Sequence, residues 1–190
     1  MRVGYSFSMT AFVCLLRGVN VGGNKMLKMD SLKKLFSSLG LEDVSTYLQS
    51  GNIVFRSDVT DRAVLVRKIE EAIRKATALD VRIILRTATE MKKVIAANPL
   101  DPAERNPKAL LVAFLNGDLG KGAKELLSGL KIASEELHFG NRELYLYFPE
   151  GIAGSKLSNA LTEKKVGVTV TARNWNTVNA LLTMAEEVEG

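Results

Sequence analysis

The chain repeats one order of predicted secondary structure, β-α-β-β-α-β-α, in both halves. Runs rich in β-branched and aromatic residues alternate with stretches whose apolar residues recur every three or four positions. Strands are predicted over residues 11–17, 44–48, 52–55 and 81–86, and again over residues 109–115, 136–139, 143–148 and 168–171. Helical periodicity appears at Leu32, Leu35, Phe36 and Leu39, at Leu65, Ile69, Ala72, Ile73 and Ala76, and at Val178, Leu181, Leu182 and Ala185. This order predicts an α+β fold that is built twice.

Three segments of the first half match three segments of the second half, in the same order. Phe12-Val-Cys-Leu-Leu-Arg-Gly18 matches Leu111-Val-Ala-Phe-Leu-Asn-Gly117, and Val81-Arg-Ile-Ile-Leu-Arg86 matches Val168-Thr-Val-Thr-Ala-Arg173. Between them, Gly51-Asn52 matches Gly140-Asn141, and each pair predicts a two-residue hairpin with glycine first. We therefore expect two ferredoxin-like (β-α-β-β-α-β) halves related by internal duplication, with antiparallel sheets that carry helices on one face.

Proline content and periodicity predict the domain boundaries. Residues 1–8 show no apolar periodicity and are expected to be a disordered tail or an expression remnant. Three of the four prolines fall within residues 98–107, which favours a connection there. The expected organisation is an N-terminal half over residues 9–98, a Pro-rich linker over residues 99–108 and a C-terminal half over residues 109–190.

The two copies differ most after their first strand. Gly18 and Gly51 are 33 positions apart, whereas Gly117 and Gly140 are 23 apart. Much of the excess is expected in the connection at residues 18–29, before Asp30 or Ser31 caps a helix. Loops between a strand and a helix usually have ~2–6 residues, and longer ones are often functional. The length of this connection indicates a site.

This glycine-rich connection has the chemistry of an anion cradle. Glycines let a ligand approach backbone N–H groups closely, and a helix N-terminus favours negative charge. Arg17 at the end of the strand needs a negative partner, either an acidic residue such as Asp30 or Asp43 or an external anion. Ser50 and Asn52 add polar groups, although we expect most such groups to satisfy the hairpin turn. The candidate ligand-binding residues in this half are Arg17, Gly18, Asn20, Gly22, Gly23, Asn24, Ser50 and Asn52.

Two C-terminal motifs supply further candidates. Gly151-Ile-Ala-Gly-Ser-Lys156 lacks the spacing of a Walker loop, but Ser155 can cap a helix and Lys156 would favour an anion there. A capped helix with a solvated lysine is an equal alternative. Asn174 is predicted to cap the last helix, with Thr177 at its third position. Arg173 would then project at a helix N-terminus, where either a carboxylate of the chain or a ligand phosphate would bind it.

Composition limits the other possibilities. The 190 residues are 46% hydrophobic and carry a net charge of +5, which fits a globular protein that tolerates anionic partners. One cysteine, Cys14, excludes an internal disulfide and favours a cytoplasmic location. No apolar run approaches the ~20 residues that span a bilayer, so no membrane partner is expected. With one cysteine and one histidine, His138, no His/Cys metal site is predicted, and no cofactor is identified.

The longest motifs carry a resemblance to a known family. Leu15-Leu-Arg-Gly-Val-Asn-Val-Gly-Gly23, Thr46-Tyr-Leu-Gln-Ser-Gly-Asn-Ile-Val-Phe55 and Thr171-Ala-Arg-Asn-Trp-Asn-Thr177 closely resemble the bacterial domain-of-unknown-function family 1697. The likeness runs from about Thr10 to the C-terminus, with departures at Val19 and Leu100. It implies a cytosolic α+β protein with a duplicated ferredoxin-like architecture. It implies no activity and no residue roles.

Three functions fit these residues. The first is binding of an anionic ligand, such as a nucleotide, a phosphorylated metabolite or a nucleic-acid phosphate, at the glycine-rich loop. The second is an enzyme of phosphoryl or acyl transfer on such a ligand, for which Ser155 and Lys156 form the only local pair. The third is an RNA-binding module that uses Tyr145 and Tyr147 on a sheet face. The sequence identifies no catalytic residue and leaves the oligomeric state open.

Overall fold

A computed structural model describes residues 9–21 and 26–189. The predicted order of elements is confirmed, except that the second helix of the second half is divided in two. The predicted tail at residues 1–8 and the candidates Gly22, Gly23 and Asn24 lie outside the described residues. The elements are β1 (Thr10–Leu16), α1 (Met29–Ser38), β2 (Glu42–Tyr47), β3 (Asn52–Ser57), α2 (Arg62–Thr77), β4 (Ile83–Thr87), α3 (Ala88–Ala96), β5 (Leu110–Leu115), α4 (Lys121–Ser128), β6 (Glu136–Phe139), β7 (Glu143–Tyr147), α5 (Lys156–Ala160), α6 (Glu163–Val166), β8 (Val170–Asn174) and α7 (Trp175–Glu189).

The strands form two four-stranded sheets with the same topology. Their orders are β2-β3-β1-β4 and β6-β7-β5-β8, and every paired strand is antiparallel. The register is also shared, because Arg86 pairs with Val13 in one sheet and Arg173 pairs with Val112 in the other. The matched sequence segments therefore occupy equivalent positions in two ferredoxin-like halves, as predicted.

In the first half, one face of the sheet packs on α1 and α2. Alternate residues of β1 enter this core, as expected when successive side chains point to opposite faces of a strand. In α2 the buried residues Leu65, Ile69 and Ile73 are four positions apart and form one helix face. Phe36 of α1 meets Phe55 of β3 edge to face, with ring centroids 5.7 Å apart. This core therefore packs β1, β3, α1 and α2 together.

In the second half, the core lies between the sheet and α4 to α6. Buried residues of β5 and β7 pack with Leu127 of α4 and Leu157 of α5. Thr162 has an extended backbone, with φ −96° and ψ 145°, and separates α5 from α6. On the other sheet face, the Tyr145 hydroxyl donates a 2.7 Å hydrogen bond to the Val94 carbonyl of α3. This half therefore places the predicted helices on one face and adds a contact with α3 on the other.

By backbone proximity the chain divides into two compact units. One comprises Met1–Thr89 with Leu181–Gly190, and the other comprises Glu90–Ala180. The Pro-rich segment lies between α3 and β5, where Asn98, Asp101 and Asn106 each accept a backbone N–H two residues ahead. Such local bonds are typical of turns, so this segment forms a connection. Among the described residues, no helix is both long and apolar enough to cross a membrane.

The hairpins differ from the predicted two-residue Gly-Asn turns. In the first half, Tyr47 pairs with Asn52, so the loop has four residues and Gly51 is the last, with φ +73°. In the second half, the Gly140 N–H donates to the Glu143 carbonyl at 2.9 Å, which places glycine before the loop residues. There the Glu143 carboxylate accepts the N–H groups of both loop residues, which fixes the shorter turn.

Candidate functional site

The connection between β1 and α1 holds most of the length difference between the two copies, as predicted. It covers residues 17–28, whereas the equivalent connection between β5 and α4 covers only residues 116–120. Both connections follow strands with the same register. The first unit therefore carries a long loop at a position where the second unit has a short one. We call residues 17–28 the β1–α1 loop.

The side chain of Asn20 closes this loop. Its Nδ2 donates to the Leu27 carbonyl at 2.9 Å and to the Gln49 carbonyl at 2.6 Å. Its Oδ1 accepts the Leu27 N–H at 2.7 Å. Asn20 has a left-handed backbone, with φ 54°, a conformation that asparagine tolerates better than most residues. One amide thus ties the beginning of the loop to its end and to the β2–β3 hairpin.

The hairpin packs directly against the end of β1. The Leu16 N–H donates to the Gly51 carbonyl at 2.8 Å. A methyl group at Gly51 would lie 2.5 Å from Val19 Cγ2 and 2.7 Å from Leu16 Cβ, so only glycine fits. The buried Asn52 amide donates to the Tyr47 carbonyl and to Ser50 Oγ, both at 2.9 Å. Ser50 and Asn52 therefore build the turn, which was the expected role for most of these polar groups.

Arg17 and Gly18 begin the loop, directly after β1. The Arg17 backbone N–H donates to the Arg82 carbonyl at 2.9 Å. Arg17 as a whole is half-buried. Asp43, one of the two acids considered as its partner, lies 2.6 Å from Arg56 Nε. Gly18 is exposed and has φ +64°, and a Cβ added there would meet no atom of the described residues within 4 Å. The backbone at Gly18 is therefore accessible to a ligand.

The loop leads into the N-terminus of α1, which begins earlier than predicted. Lys28 occupies the cap position and its side chain makes no capping bond, so the prediction that Asp30 or Ser31 caps the helix was wrong. The buried residues Leu27 and Met29 on either side of Lys28 fix where the helix begins. Lys28 thus supplies no side-chain oxygen to the first N–H groups of α1, although it occupies the position from which a capping oxygen normally comes.

The second cluster of candidates lies in the other unit. Ser155 Oγ accepts the Ser158 N–H at 3.0 Å and caps α5, as predicted, while Lys156 is exposed. Both belong to a cleft of about 310 Å³ between two loops. Two lysines and two glutamates line this cleft, so its charge is balanced. The lining residues are Lys131, Ala133, Ser134, Glu135, Glu150, Gly151, Ala153, Gly154, Ser155 and Lys156.

Arg173 and Asn174 lie at the end of β8. Asn174 Oδ1 accepts the Thr177 N–H at 2.9 Å, which confirms the predicted cap of α7. Arg173 is buried within the strand, and its Nη1 donates to Thr171 Oγ1 and to the Ala172 carbonyl, both at 2.8 Å. The guanidinium therefore bonds to its own strand. The prediction that it projects from the N-terminus of the last helix was wrong.

The two tyrosines considered for RNA binding, Tyr145 and Tyr147, make contacts within the protein. Tyr145 is buried, and burial together with the nearby Glu143 carboxylate raises the pKa of its hydroxyl. The Arg105 guanidinium lies 5.7 Å from the centre of the Tyr147 ring and also donates two hydrogen bonds to Glu136. These bonds lower the pKa of the Glu136 carboxyl. Tyr145 cannot stack on a base without leaving the fold.

Within residues 9–21 and 26–189, no three His, Cys, Asp or Glu side chains are grouped closely enough to hold a metal ion. His138 lies with its Nε2 3.8 Å from a Glu136 oxygen. Cys14 is buried in β1 as a free thiol. Among the described residues, neither His138 nor Cys14 belongs to a group of side chains that could hold a metal ion.

A family model described as "Protein of unknown function (DUF1697)" matches residues 9–145. Among solved structures, the chain is similar to the conserved bacterial protein SP0830 from Streptococcus pneumoniae, with 25% sequence identity and a TM-score of 0.72. That match covers 94% of this chain and 99% of the other. A search of curated proteins finds no match.

Proposed function

Because the chain belongs to this family of proteins of unknown function, its function has to be inferred from its own residues, and we propose that it binds an anionic ligand at the β1–α1 loop. The ligand class includes nucleotides, phosphorylated metabolites and nucleic-acid phosphates. The proposal depends most on the Asn20 side chain, whose three hydrogen bonds hold the loop closed. Because these bonds already fix Asn20, Leu27 and Gln49 relative to one another, less conformational entropy is lost at these residues when a ligand binds.

The chemistry of the loop favours negative charge. Arg17 supplies a permanent positive charge and can bind a phosphate or carboxylate with two parallel hydrogen bonds. The exposed backbone at Gly18 and the N–H groups at the start of α1 supply further donors. Gly22, Gly23 and Asn24 remain candidate ligand-binding residues from the sequence. Ser155, Lys156, Arg173 and Asn174 remain sequence predictions that this proposal does not use. A cytoplasmic location also remains a prediction, from the single cysteine.

The enzyme alternative receives less support from the contacts. A Ser155 nucleophile would need a base that accepts its proton, but Ser155 Oγ instead accepts a backbone N–H as the cap of α5. Lys156 is the adjacent helical residue, and adjacent helix positions do not face each other. The RNA-binding alternative loses Tyr145 as a stacking surface because that ring is buried. Binding at the β1–α1 loop is therefore the function that we favour.

The test is a calorimetric titration of the full chain with inorganic triphosphate and with ATP. We expect saturable binding that weakens about tenfold or more in Arg17→Gln, since one charge-assisted bidentate contact contributes roughly 1.5–3 kcal/mol. Arg74→Gln is the matched control, because Arg74 is an exposed arginine near the end of α2 in the same unit. Equal affinities of Arg17→Gln and wild type, or no binding of either ligand, would contradict the proposal.

A further inference from the structure

Three exposed apolar residues adjoin the residues that the Asn20 hydrogen bonds join. Val21, Met26 and Leu48 expose 63%, 69% and 58% of their surface, more than any other large apolar residue within the described parts of the chain. We call these three residues the apolar rim. Scattered exposed apolar residues are common on proteins, but the three most exposed ones at a single place suggest a binding surface.

The hydrogen bonds of Asn20 bring the apolar rim together. Asn20 bonds to Leu27 and Gln49, so these three residues lie within one side chain's length of each other. Each member of the rim is the immediate neighbour of one of them in the sequence, since Val21 follows Asn20, Met26 precedes Leu27 and Leu48 precedes Gln49. The rim therefore has two members in the loop, Val21 and Met26, and one in the hairpin, Leu48.

Leu48 adds a second observation. It has φ 57°, in the left-handed region that favours glycine and asparagine, although it is neither. Leu48 begins the four-residue loop of the hairpin, so the turn holds this backbone conformation and presents a largely exposed apolar side chain. An unfavourable backbone that presents an apolar side chain to solvent is a feature that often accompanies binding sites.

We propose that the apolar rim contacts the flat face of a nucleobase and that the ligand of the β1–α1 loop is a nucleotide. This inference rests on the proposed function, because it assigns the phosphates to Arg17, the Gly18 backbone and the start of α1, and the base to the rim. The flat faces of a base are weakly polar and pack on aliphatic side chains, while its polar edges remain in water. Three side chains suffice for one base, whereas a stable protein partner needs roughly 20–30 residues on each side.

The test compares ATP and GTP with inorganic triphosphate, which carries the same kind of charge without a base, by calorimetric titration of the full chain. We expect wild type to bind at least one of the nucleotides about tenfold more tightly than triphosphate. Leu48→Asn should weaken nucleotide binding about tenfold and leave triphosphate binding unchanged. Asparagine tolerates the left-handed backbone, so Leu48→Asn should unfold at the same temperature as wild type or a higher one.

The control is Val64→Asn, which changes an exposed apolar residue on α2 of the same unit and should bind all three probes like wild type. Equal affinity for nucleotides and triphosphate, or unchanged nucleotide binding in a folded Leu48→Asn, would overturn the inference and leave the anion site intact. Absence of binding of all three probes to wild type would overturn the proposed function together with this inference.

Discussion

Asn20 and Leu27 are joined by two hydrogen bonds that run in opposite directions. The Asn20 amide donates to the Leu27 carbonyl at 2.9 Å, and the Leu27 N–H donates to Asn20 Oδ1 at 2.7 Å. The pair makes a closed ring of the chain between them, and the third bond of Asn20, to Gln49, attaches this ring to the hairpin. The shape of the candidate site therefore depends on one side chain.

Replacing this side chain should open the loop. Asn20→Ala removes all three hydrogen bonds and should lower the free energy of unfolding by about 1–3 kcal/mol. Hydrogen exchange measured by NMR should show lost protection of the Leu27 amide. Asn159→Ala, an exposed position on α5, is the control and should change stability by less than about 0.5 kcal/mol. Retained protection of Leu27 in Asn20→Ala would contradict this role.

The close packing of the hairpin predicts a strong effect at Gly51. Gly51→Ala places a methyl group against Leu16 and Val19 and imposes a left-handed backbone on alanine. The clash should cost about 1–3 kcal/mol and the backbone strain about 1–2 kcal/mol. Gly40→Ala has a similar φ of +79° with open space around it, so it should show the backbone cost alone. Urea unfolding that gives equal losses for both variants would refute the packing argument.

The fold was predictable from sequence because its strands and helices have clear periodicity. Strand β6, at Glu136–Phe139, coincides with its prediction, and the matched positions of Arg86 and Arg173 fall in equivalent registers. Turn geometry was less predictable, because it depends on contacts outside the turn. The Gly-Asn pairs indicated hairpins in the right places. The first loop has four residues instead of two, and Gly51 at its end packs against Leu16. The second loop has the predicted two residues but begins after Gly140, and the Glu143 carboxylate accepts both loop N–H groups.

The contact between Tyr145 and α3 predicts unequal effects at two neighbouring tyrosines. Tyr145→Phe leaves the Val94 carbonyl without its 2.7 Å donor and should lower the free energy of unfolding by about 1–3 kcal/mol. Tyr147→Phe keeps the ring beneath Arg105 and should cost less than about 0.5 kcal/mol. Equal losses for the two variants in denaturant unfolding would argue against the Val94 hydrogen bond as a source of stability.

The Arg105–Glu136 pair predicts a stability difference that depends on pH. Hydrogen bonds from Arg105 lower the pKa of Glu136, so the stabilising contribution is present above the ordinary value of 4.5 and is lost as the pH falls through the lowered pKa. Glu136→Gln should therefore be less stable than wild type at pH 7, and the two should converge in acid.

Glu71→Gln is the control for this prediction. Glu71 forms an exposed pair with Lys75 on α2, which should contribute less because water screens it. Thermal unfolding at several pH values measures both differences. A difference between wild type and Glu136→Gln that stays constant from pH 7 to strong acid would contradict the assigned cause.

The candidate site was only partly predictable. Arg17 and Gly18 follow from a strand that ends in a glycine-rich loop, and the length difference between the copies indicated the right connection. The roles of Asn20 and Leu48 could not be read from the sequence. They arise from hydrogen bonds and backbone angles that form only when the loop meets a hairpin more than twenty residues away. Arg173 lies directly before the cap of α7, as predicted, but its guanidinium bonds to Thr171 and Ala172 of its own strand, which residue spacing does not reveal.

The most direct test of anion binding at the β1–α1 loop is an NMR titration of the ¹⁵N-labelled chain with inorganic triphosphate. We predict saturable shifts of the backbone amides of Gly18, Asp30 and Ser31, which adjoin the proposed cradle, and weaker shifts in Arg17→Gln. Shifts confined to residues 154–156, or no shifts at saturating triphosphate, would contradict the assignment of the site to this loop.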